Sequence, residues 1–339
     1  MTYRDAGVDL DAAAAVKRRL GELVESTRTS AVASTFGSFG GRFAAPDGAA
    51  LVASADGVGT KLKIAFLTDR HDTVGEDLVN HCVGDILTEG AVPLVFMDYF
   101  ACGKLEPAVV VQVVSGVARA CRENGCSLLG GETAEMPDFY PPGEYDLAGF
   151  IVGNTMFPEV AERAVVEGDT LVSLASNGLH TNGFSLVRRL LFDRLELGVE
   201  DEMPGTGAAI GEVLLRPHRS YLAPLRRACE KGQIRALAHI TGGGIPGNLD
   251  RVLPETLDAI VDTTTWEAPA EFRFLAEASG APATEMFRTF NMGVGMIAVV
   301  RAEDAGDVVD GIVESGVRAW VCGELETGGG EVTLAGLEL

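Results

Sequence analysis

The chain has 339 residues, enough for about two domains, with a hydrophobic fraction of 47% and a charged fraction of 22% that leave material for an ordinary globular core. Its net charge is −22, from 27 Lys and Arg against 49 Asp and Glu, which argues against nucleic acid or an anionic membrane as partner. A phosphate ligand would have to be held by local devices: a lysine, the N–H groups of glycine loops, a helix N-terminus or Mg²⁺.

The N-terminus, Met1 to Asp5, carries an acid early and has no apolar stretch, so it does not read as a secretory signal. No apolar run approaches the roughly 20 residues of a membrane span. The cysteines, at 82, 102, 121, 126, 229 and 322, form no CxxC pair and sit mostly in apolar stretches. They read as reduced core residues of a cytosolic protein.

Apolar spacing predicts a helix from about Asp11 to Ser26, with Val16, Leu20, Leu23 and Val24 facing inward and Asp9 or Asp11 as cap. The Gly37–Gly41 stretch (GSFGG) reads either as a surface linker or as a lid over a phosphate. An apolar strand then runs into Ser54-Ala55-Asp56-Gly57-Val58-Gly59-Thr60-Lys61-Leu62-Lys63. Here a carboxylate, two glycines, a hydroxyl and a lysine fall within six residues. The glycines free the backbone to turn its N–H groups on an anion. Lys61 can neutralise a phosphate, and Asp56 can hold a Mg²⁺ ion that does the same. The competing reading is a turn with a surface Asp and Lys.

Glu76 to Glu89 reads as a helix with two faces: Leu78, Cys82 and Ile86 inward, and Asp77, His81, Asp85 and Thr88 on a polar side. That polar side matters only if it turns toward Asp56. A strand follows from Val92 to Phe100, with Asp98 costly to bury unless paired. Pro107 opens a helix that Gly125 closes. A short strand enters Gly130-Gly131-Glu132-Thr133, and a long one spans Tyr145 to Met156. The charged run Pro158 to Asp169 marks the expected boundary between an N-terminal domain, 1–168, and a C-terminal domain, 169–339.

The second half opens with the strand Thr170 to Ala175, the loop Asn177-Gly178-Leu179-His180-Thr181-Asn182-Gly183 and a helix from Phe184 to Leu195. Strand, glycine loop and helix together make an anion site in α/β folds. Asp201 to Ala209 reads as an exposed loop. The strand Ile234 to Ile240 enters Thr241-Gly242-Gly243-Gly244, and Arg288 to Met296 leads into the last strands. The alternation defines an α/β (α+β) chain with two sheet-containing domains flanked by helices.

There is no Walker A motif and no GxSxG. One GxGxxG, at Gly242, Gly244 and Gly247, permits a dinucleotide only weakly. Among the histidines, His180 stands out in its polar glycine loop; His239 reads as a core group, and His71, His81 and His218 as structural or exposed. Asp56, Asp85, Asp98 and Glu132 are the best metal-ligand candidates. From the residues alone, this is an α/β enzyme that uses a Mg-nucleotide without a Walker fold.

Taken together, YRDAGVDLDA (3–12), ADGVGTKLK (55–63), GAVPLVFMDYFACGKL (90–105), GGETAEMP (130–137), HTNGFSLVR (180–188), LAHITGGG (237–244) and RTFNMGVGM (288–296) resemble the phosphoribosylformylglycinamidine cyclo-ligase (aminoimidazole ribonucleotide synthetase) family. The resemblance implies a cytoplasmic homodimer whose N-terminal sheets pair, with ATP and Mg²⁺ used to close formylglycinamidine ribonucleotide to aminoimidazole ribonucleotide in purine biosynthesis. Carried over by position, it places phosphate contacts at Asp56, Gly57, Gly59, Thr60 and Lys61 and in an anion nest at Thr241, Gly242, Gly243 and Gly244. It places Mg²⁺ at Asp56, Asp85 and Glu132, and His180, Asn182 and Lys61 at the reacting groups. The chain departs from the family pattern at Gly84, where Asn is usual before the acid, and at Ala55 and Val92. A kinase-like or selenophosphate-type superfamily member, or a non-catalytic nucleotide-binding protein, are the alternatives; the matched stretches and the retained acids speak against both.

Overall fold

A computed structural model describes residues 6–7 and 10–337. Met1 to Asp5 and Asp9 lie outside the described residues, as does the side chain of Asp11. Strands Gly41–Ala44 (β1), Ala50–Gly57 (β2), Ala91–Cys102 (β3), Ser127–Glu135 (β4) and Tyr145–Thr155 (β5) form one sheet, ordered β1-β2-β5-β3-β4. Only β3 and β4 pair in parallel, joined by a crossover helix. Strands Thr170–Ala175 (β6), Ile234–His239 (β9), Leu257–Asp262 (β10), Val294–Val300 (β11), Ala319–Thr327 (β12) and Val332–Ala335 (β13) form a second sheet, ordered β13-β10-β12-β6-β11-β9. Glu202–Met203 (β7) and Ala208–Ala209 (β8) make a small hairpin. Its Met203 is fully buried, so the stretch expected as an exposed loop is anchored by its one large apolar side chain.

The helices of the first half are Leu10–Glu25 (α1), Leu62–Thr68 (α2), Asp72–Leu87 (α3), Pro107–Asn124 (α4) and Pro158–Glu162 (α5). Those of the second are Phe184–Arg188 (α6), Ile210–Leu214 (α7), Leu222–Glu230 (α8), Gly244–Leu249 (α9), Ala270–Ser279 (α10), Ala283–Thr289 (α11) and Ala305–Glu314 (α12). The helix expected over Phe184 to Leu195 is α6 continued by a wider π turn, Arg189–Arg194. The stripe of α1 expected to face inward is exposed, with Leu23 at 65%.

Helix α3 organises the molecule. Every residue in it except Asp72 and Glu76 is buried, because the first sheet covers one side and the second half of the chain the other. Its approach to α4 is set by glycine: a Cβ on Gly116 would lie 1.8 Å from the Asp72 carbonyl oxygen, and one on Gly75 2.2 Å from that of Val113. Apolar residues of α3 pack on the sheet, whose strand β5 alternates buried and exposed positions from Tyr145 to Ile151. That leaves the polar stripe to meet the second half. Asn80 Nδ2 donates to the His218 carbonyl at 2.8 Å, and the His218 N–H donates to Asp77 at 2.7 Å. No helix among the described residues is long and apolar enough to cross a membrane.

Candidate active site

A cleft cavity of about 350 Å³ opens where the end of β2 meets the loop before α6; Asp56, Gly57, Gly59, Thr60, His81, Thr181, Asn182 and Ser185 line it. Gly59 has a positive φ of 60°, the left-handed conformation that turns the chain from β2 into the short helical turn Gly59–Lys61. The two walls touch through hydroxyls, Thr60 Oγ1 and Ser185 Oγ at 3.0 Å. The Thr241–Gly244 loop adjoins the same wall: a Cβ on Gly242 would lie 3.1 Å from Asn182 Oδ1. Its Gly243 and Gly244 take φ of 101° and 62°, conformations that favour glycine.

Behind Asp56 the polar stripe of α3 builds a charged cluster. His81 Nε2 lies 2.8 Å from Asp56 Oδ2, and its Nδ1 lies 2.9 Å from Thr181 Oγ1. One turn on, Asp85 Oδ1 accepts from His239 Nδ1 at 2.9 Å, and Ser54 Oγ donates to Asp85 Oδ2 at 3.2 Å. A carboxylate only accepts, so a neutral His239 carries its proton on Nδ1 and offers a lone pair at Nε2. His218 Nε2 is 2.9 Å from that atom and must be its donor. His218 Nδ1 then holds a lone pair, buried and with no hydrogen-bond partner among the described residues. His180 stacks on His218 at 4.0 Å between centroids. Four of the chain's five histidines thus share one buried cluster.

Their protonation states separate. Burial opposes charge on His81, but Asp56 beside it, with Asp85 and Asp77 nearby, raises its pKa to about 9. Burial opposes charge on Asp56 too, and His81 outweighs it, holding the carboxyl below its usual range. Burial drives His180 and His218 well below theirs, with neighbouring cations and imidazoles adding to the effect. Burial also lowers His239, against the pull of Asp85. One imidazolium therefore stands among three neutral rings.

Three expected site residues lie elsewhere. Lys61 is fully buried and does not face the cleft. Its Nζ donates to Asp77 Oδ1 at 2.8 Å, to the Arg216 carbonyl at 2.8 Å and to the His180 carbonyl at 3.1 Å, so all three donors are used holding the two halves together. His180 is also behind the wall, with Nε2 3.0 Å from Asn177 Oδ1 and a positive φ of 60°. Glu132 is exposed on β4 and lies in register with Tyr99. Asp56 belongs to the row Asp56–Gly149–Asp98–Gly131, so Glu132 is one residue out of parity and faces the other side of the sheet. Three strand spacings separate it from Asp56, about 14 Å. Asp98, two spacings from Asp56, is likewise apart from it. Within the chain, then, the structure gathers Asp56, Gly57, Gly59, Thr60 and Asn182 at the cavity, with Asp85 behind and Thr241–Gly244 adjoining. The Gly37–Gly41 segment is docked rather than loose: Phe39 is buried, and the Arg251 guanidinium lies 3.4 Å over its ring and donates to the Gly37 carbonyl.

Nothing in the sequence joins His81, His218 and His239 into one site. Only His81 left a signal, its place between Asp77 and Asp85 on the polar stripe; His218 and His239 join through contacts across the fold.

The two halves that carry these sheets match the AIR synthase related proteins, the N-terminal domain model over residues 37–155 and the C-terminal domain model over residues 166–335. The chain belongs to the phosphoribosylformylglycinamidine cyclo-ligase family. It is 45% identical to the enzyme of that name from Alkaliphilus metalliredigens, over 98% of each chain. To the one from Sorangium cellulosum it is 47% identical, over 96% of this chain and 95% of that one. Among solved structures, AaThiL complexed with AMPPCP and TMP shares the fold, with a TM-score of 0.65 at 16% identity over 94% of this chain and 93% of that one.

Proposed function

We infer that this cyclo-ligase uses ATP and Mg²⁺ to close formylglycinamidine ribonucleotide to aminoimidazole ribonucleotide, as a cytoplasmic homodimer. Family membership supports the reaction. The observation in the structure that carries it is the convergence of the Asp56–Thr60 turn and the Thr181–Ser185 loop on one cavity. The γ-phosphoryl group of ATP passes to the formyl amide oxygen, an O–P bond forming as the bond to ADP breaks. The amidine-side nitrogen then bonds to the formyl carbon, the C–O bond breaks, phosphate leaves with its electron pair and the nitrogen loses a proton. An amide oxygen leaves poorly until phosphorylated, so the protein's task is positioning and charge neutralisation.

The chain's own groups suit that task. The N–H groups of Val58 to Thr60 and of Gly242 and Gly243 offer donors to phosphate oxygens, and the hydrogen-bonded Thr60–Ser185 hydroxyl pair adds one more. Asn182 faces the cavity, where its amide can orient the formyl end of the substrate. Mg²⁺ takes oxygen ligands and usually keeps one or two carboxylates beside phosphate. Asp56, on the cavity wall, fits that need; Asp85 stands behind it with its oxygens turned to His239 and Ser54. When bound, the ion would neutralise phosphate charge.

A second copy is supported by the outer face of the first sheet. Ala55, Phe150 and Met97 are cross-strand neighbours there, with Leu94 and Tyr99 close by, and the four large side chains are each more than a third exposed. Apolar rows on a sheet face call for a cover.

The test follows ADP, phosphate and aminoimidazole ribonucleotide together, with and without substrate. Appearance of all three in step, only with substrate and Mg²⁺, is the expected result, with Asp56→Asn slowed by about a hundredfold or more. ATP turnover without the imidazole product overturns the reading.

A further inference from the structure

We propose that His81, Asp85 and His239 form a binding site for a first-row transition dication such as Zn²⁺ or Co²⁺, at the back of the nucleotide cleft. Each residue offers one ligand atom, and these atoms all lie within 4.8 Å of one another, with all three residues buried. A small inward movement of the rings brings them to metal–ligand distances of about 2.0–2.2 Å. Two imidazoles and a carboxylate suit Zn²⁺, Co²⁺, Ni²⁺ or Fe²⁺; Mg²⁺ strongly prefers oxygen alone.

The site is built. His81 and Asp85 are one turn apart on α3, the most completely buried helix, so their spacing is fixed by the helix itself. His239, at the end of β9, can approach only because Gly84 has no side chain: a Cβ there would lie 2.5 Å from the ring. Outer partners orient the donors: Thr181 on His81 Nδ1, Ser54 on Asp85 and His218 on His239 Nε2. An ion here takes the place of the proton between His81 Nε2 and Asp56 and of the one on His239 Nδ1; His239 Nε2–H then donates to His218 Nε2, and His218 carries its own proton on Nδ1. Charge favours a cation. Lys61 is spent on Asp77, and the two carboxylates Asp56 and Asp85 are faced by His81 in direct contact and by the Arg251 guanidinium at longer range. His81 also lines the cavity, so an ion held here would keep an open coordination position toward the cleft, where a phosphate oxygen could enter. The inference deepens the reading of that cleft and rests on it only for the ion's role; binding of the ion is tested apart from turnover.

Protein stripped by a chelator and free of nucleotide is titrated with Co²⁺ and followed by visible absorption. The expected result is one bound equivalent, with ligand-field bands stronger than those of the aquo ion and no thiolate charge-transfer band. Zn²⁺ displaces it and Mg²⁺ in excess does not. His81→Gln and His239→Asn, each confirmed as folded by circular dichroism, bind Co²⁺ about tenfold or more weakly. A spectrum that stays that of the aquo ion overturns the proposal, as does unchanged affinity in both folded variants. Should the variants not fold, the imidazole NMR signals of wild-type protein decide: Zn²⁺ shifts those of His81 and His239, and unmoved signals overturn it. Failure of ring closure with Co²⁺ binding intact would count against the reaction and not against the site.

Discussion

The His239 imidazole lies against the α-carbon of Gly84, in space where a Cβ would stand 2.5 Å from its Cε1 and 2.7 Å from its Nε2. The ring cannot simply back away, because Asp85 holds its Nδ1 and His218 its Nε2. Gly84→Ala gains about 1 kcal/mol of helix propensity. Against that stand about 1–3 kcal/mol for overpacking and a similar cost for a lost bond to a charged group. The second effect wins, so the variant is less stable than wild type by about 1–3 kcal/mol, read from denaturant midpoints. Adding His239→Ala to Gly84→Ala should cost less than His239→Ala alone. Gly84→Ala as stable as wild type, with no such coupling, would show the ring free to move.

Lys61 and Asp77 make a fully buried pair that reaches across both halves of the chain. Burial pulls the lysine's pKa down and pushes the carboxyl's up, so each depends on the other. Lys61→Ala leaves Asp77 buried with the His218 N–H as its remaining donor, at a cost of about 3–5 kcal/mol. Activity then falls because the cleft comes apart. Urea unfolding separates this from a phosphate contact: a variant with wild-type stability and no turnover would return Lys61 to the chemistry.

Much of this site could be read from the sequence, for definite reasons. The turn at Asp56 and the loop at Asn182 announce themselves because glycine and polar residues at strand ends have few other uses. The stripe Asp77–His81–Asp85 is legible because helical periodicity is local. What stayed hidden depends on distant pairing. Lys61 reads as a phosphate ligand until Asp77 and two carbonyls are seen to use its donors. Glu132 and Asp56 sit in strands whose relative parity is set by β3 and β5 between them, and no local pattern carries it. His239 finds Asp85 across more than a hundred residues. The short strands β1 and β13 leave no local signal, because four residues hold too little alternation to mark a strand.

Cys322, on β12, gives a pH dependence with a definite sign. All six cysteines are free and buried, and burial pushes the Cys322 thiol up to about 11 from the ordinary 9.0. Between these values the unfolded thiol has lost its proton and the folded one keeps it, so the unfolded state binds fewer protons and stability falls as pH rises. The contribution is fully present below pH 9 and is lost on the way to pH 11. For a shift of this size it amounts to about 2–3 kcal/mol. Denaturant midpoints from pH 8 to 11, in the presence of reductant, should decline across that window. Cys322→Ala should start lower, because it leaves a cavity, and decline less. Equal slopes in the two proteins would place the effect on other groups.

Phe150 tests the proposed dimer face at little cost to the fold. Its side chain is 40% exposed, and its cross-strand neighbours Ala55 and Met97 are also exposed, so a charge here stays solvated in a single chain. In a dimer built on this face the same charge would be taken out of water without a partner, at a cost of several kcal/mol felt once from each copy. Phe150→Glu should therefore sediment as a monomer at concentrations where wild type is a dimer, with circular dichroism unchanged. Its thermal midpoint should become independent of protein concentration, while that of wild type rises with it. A Phe150→Glu protein that remains dimeric would move the interface off this sheet. The exposed stripe of α1, with Val16, Leu20 and Leu23, would then be the next face to alter.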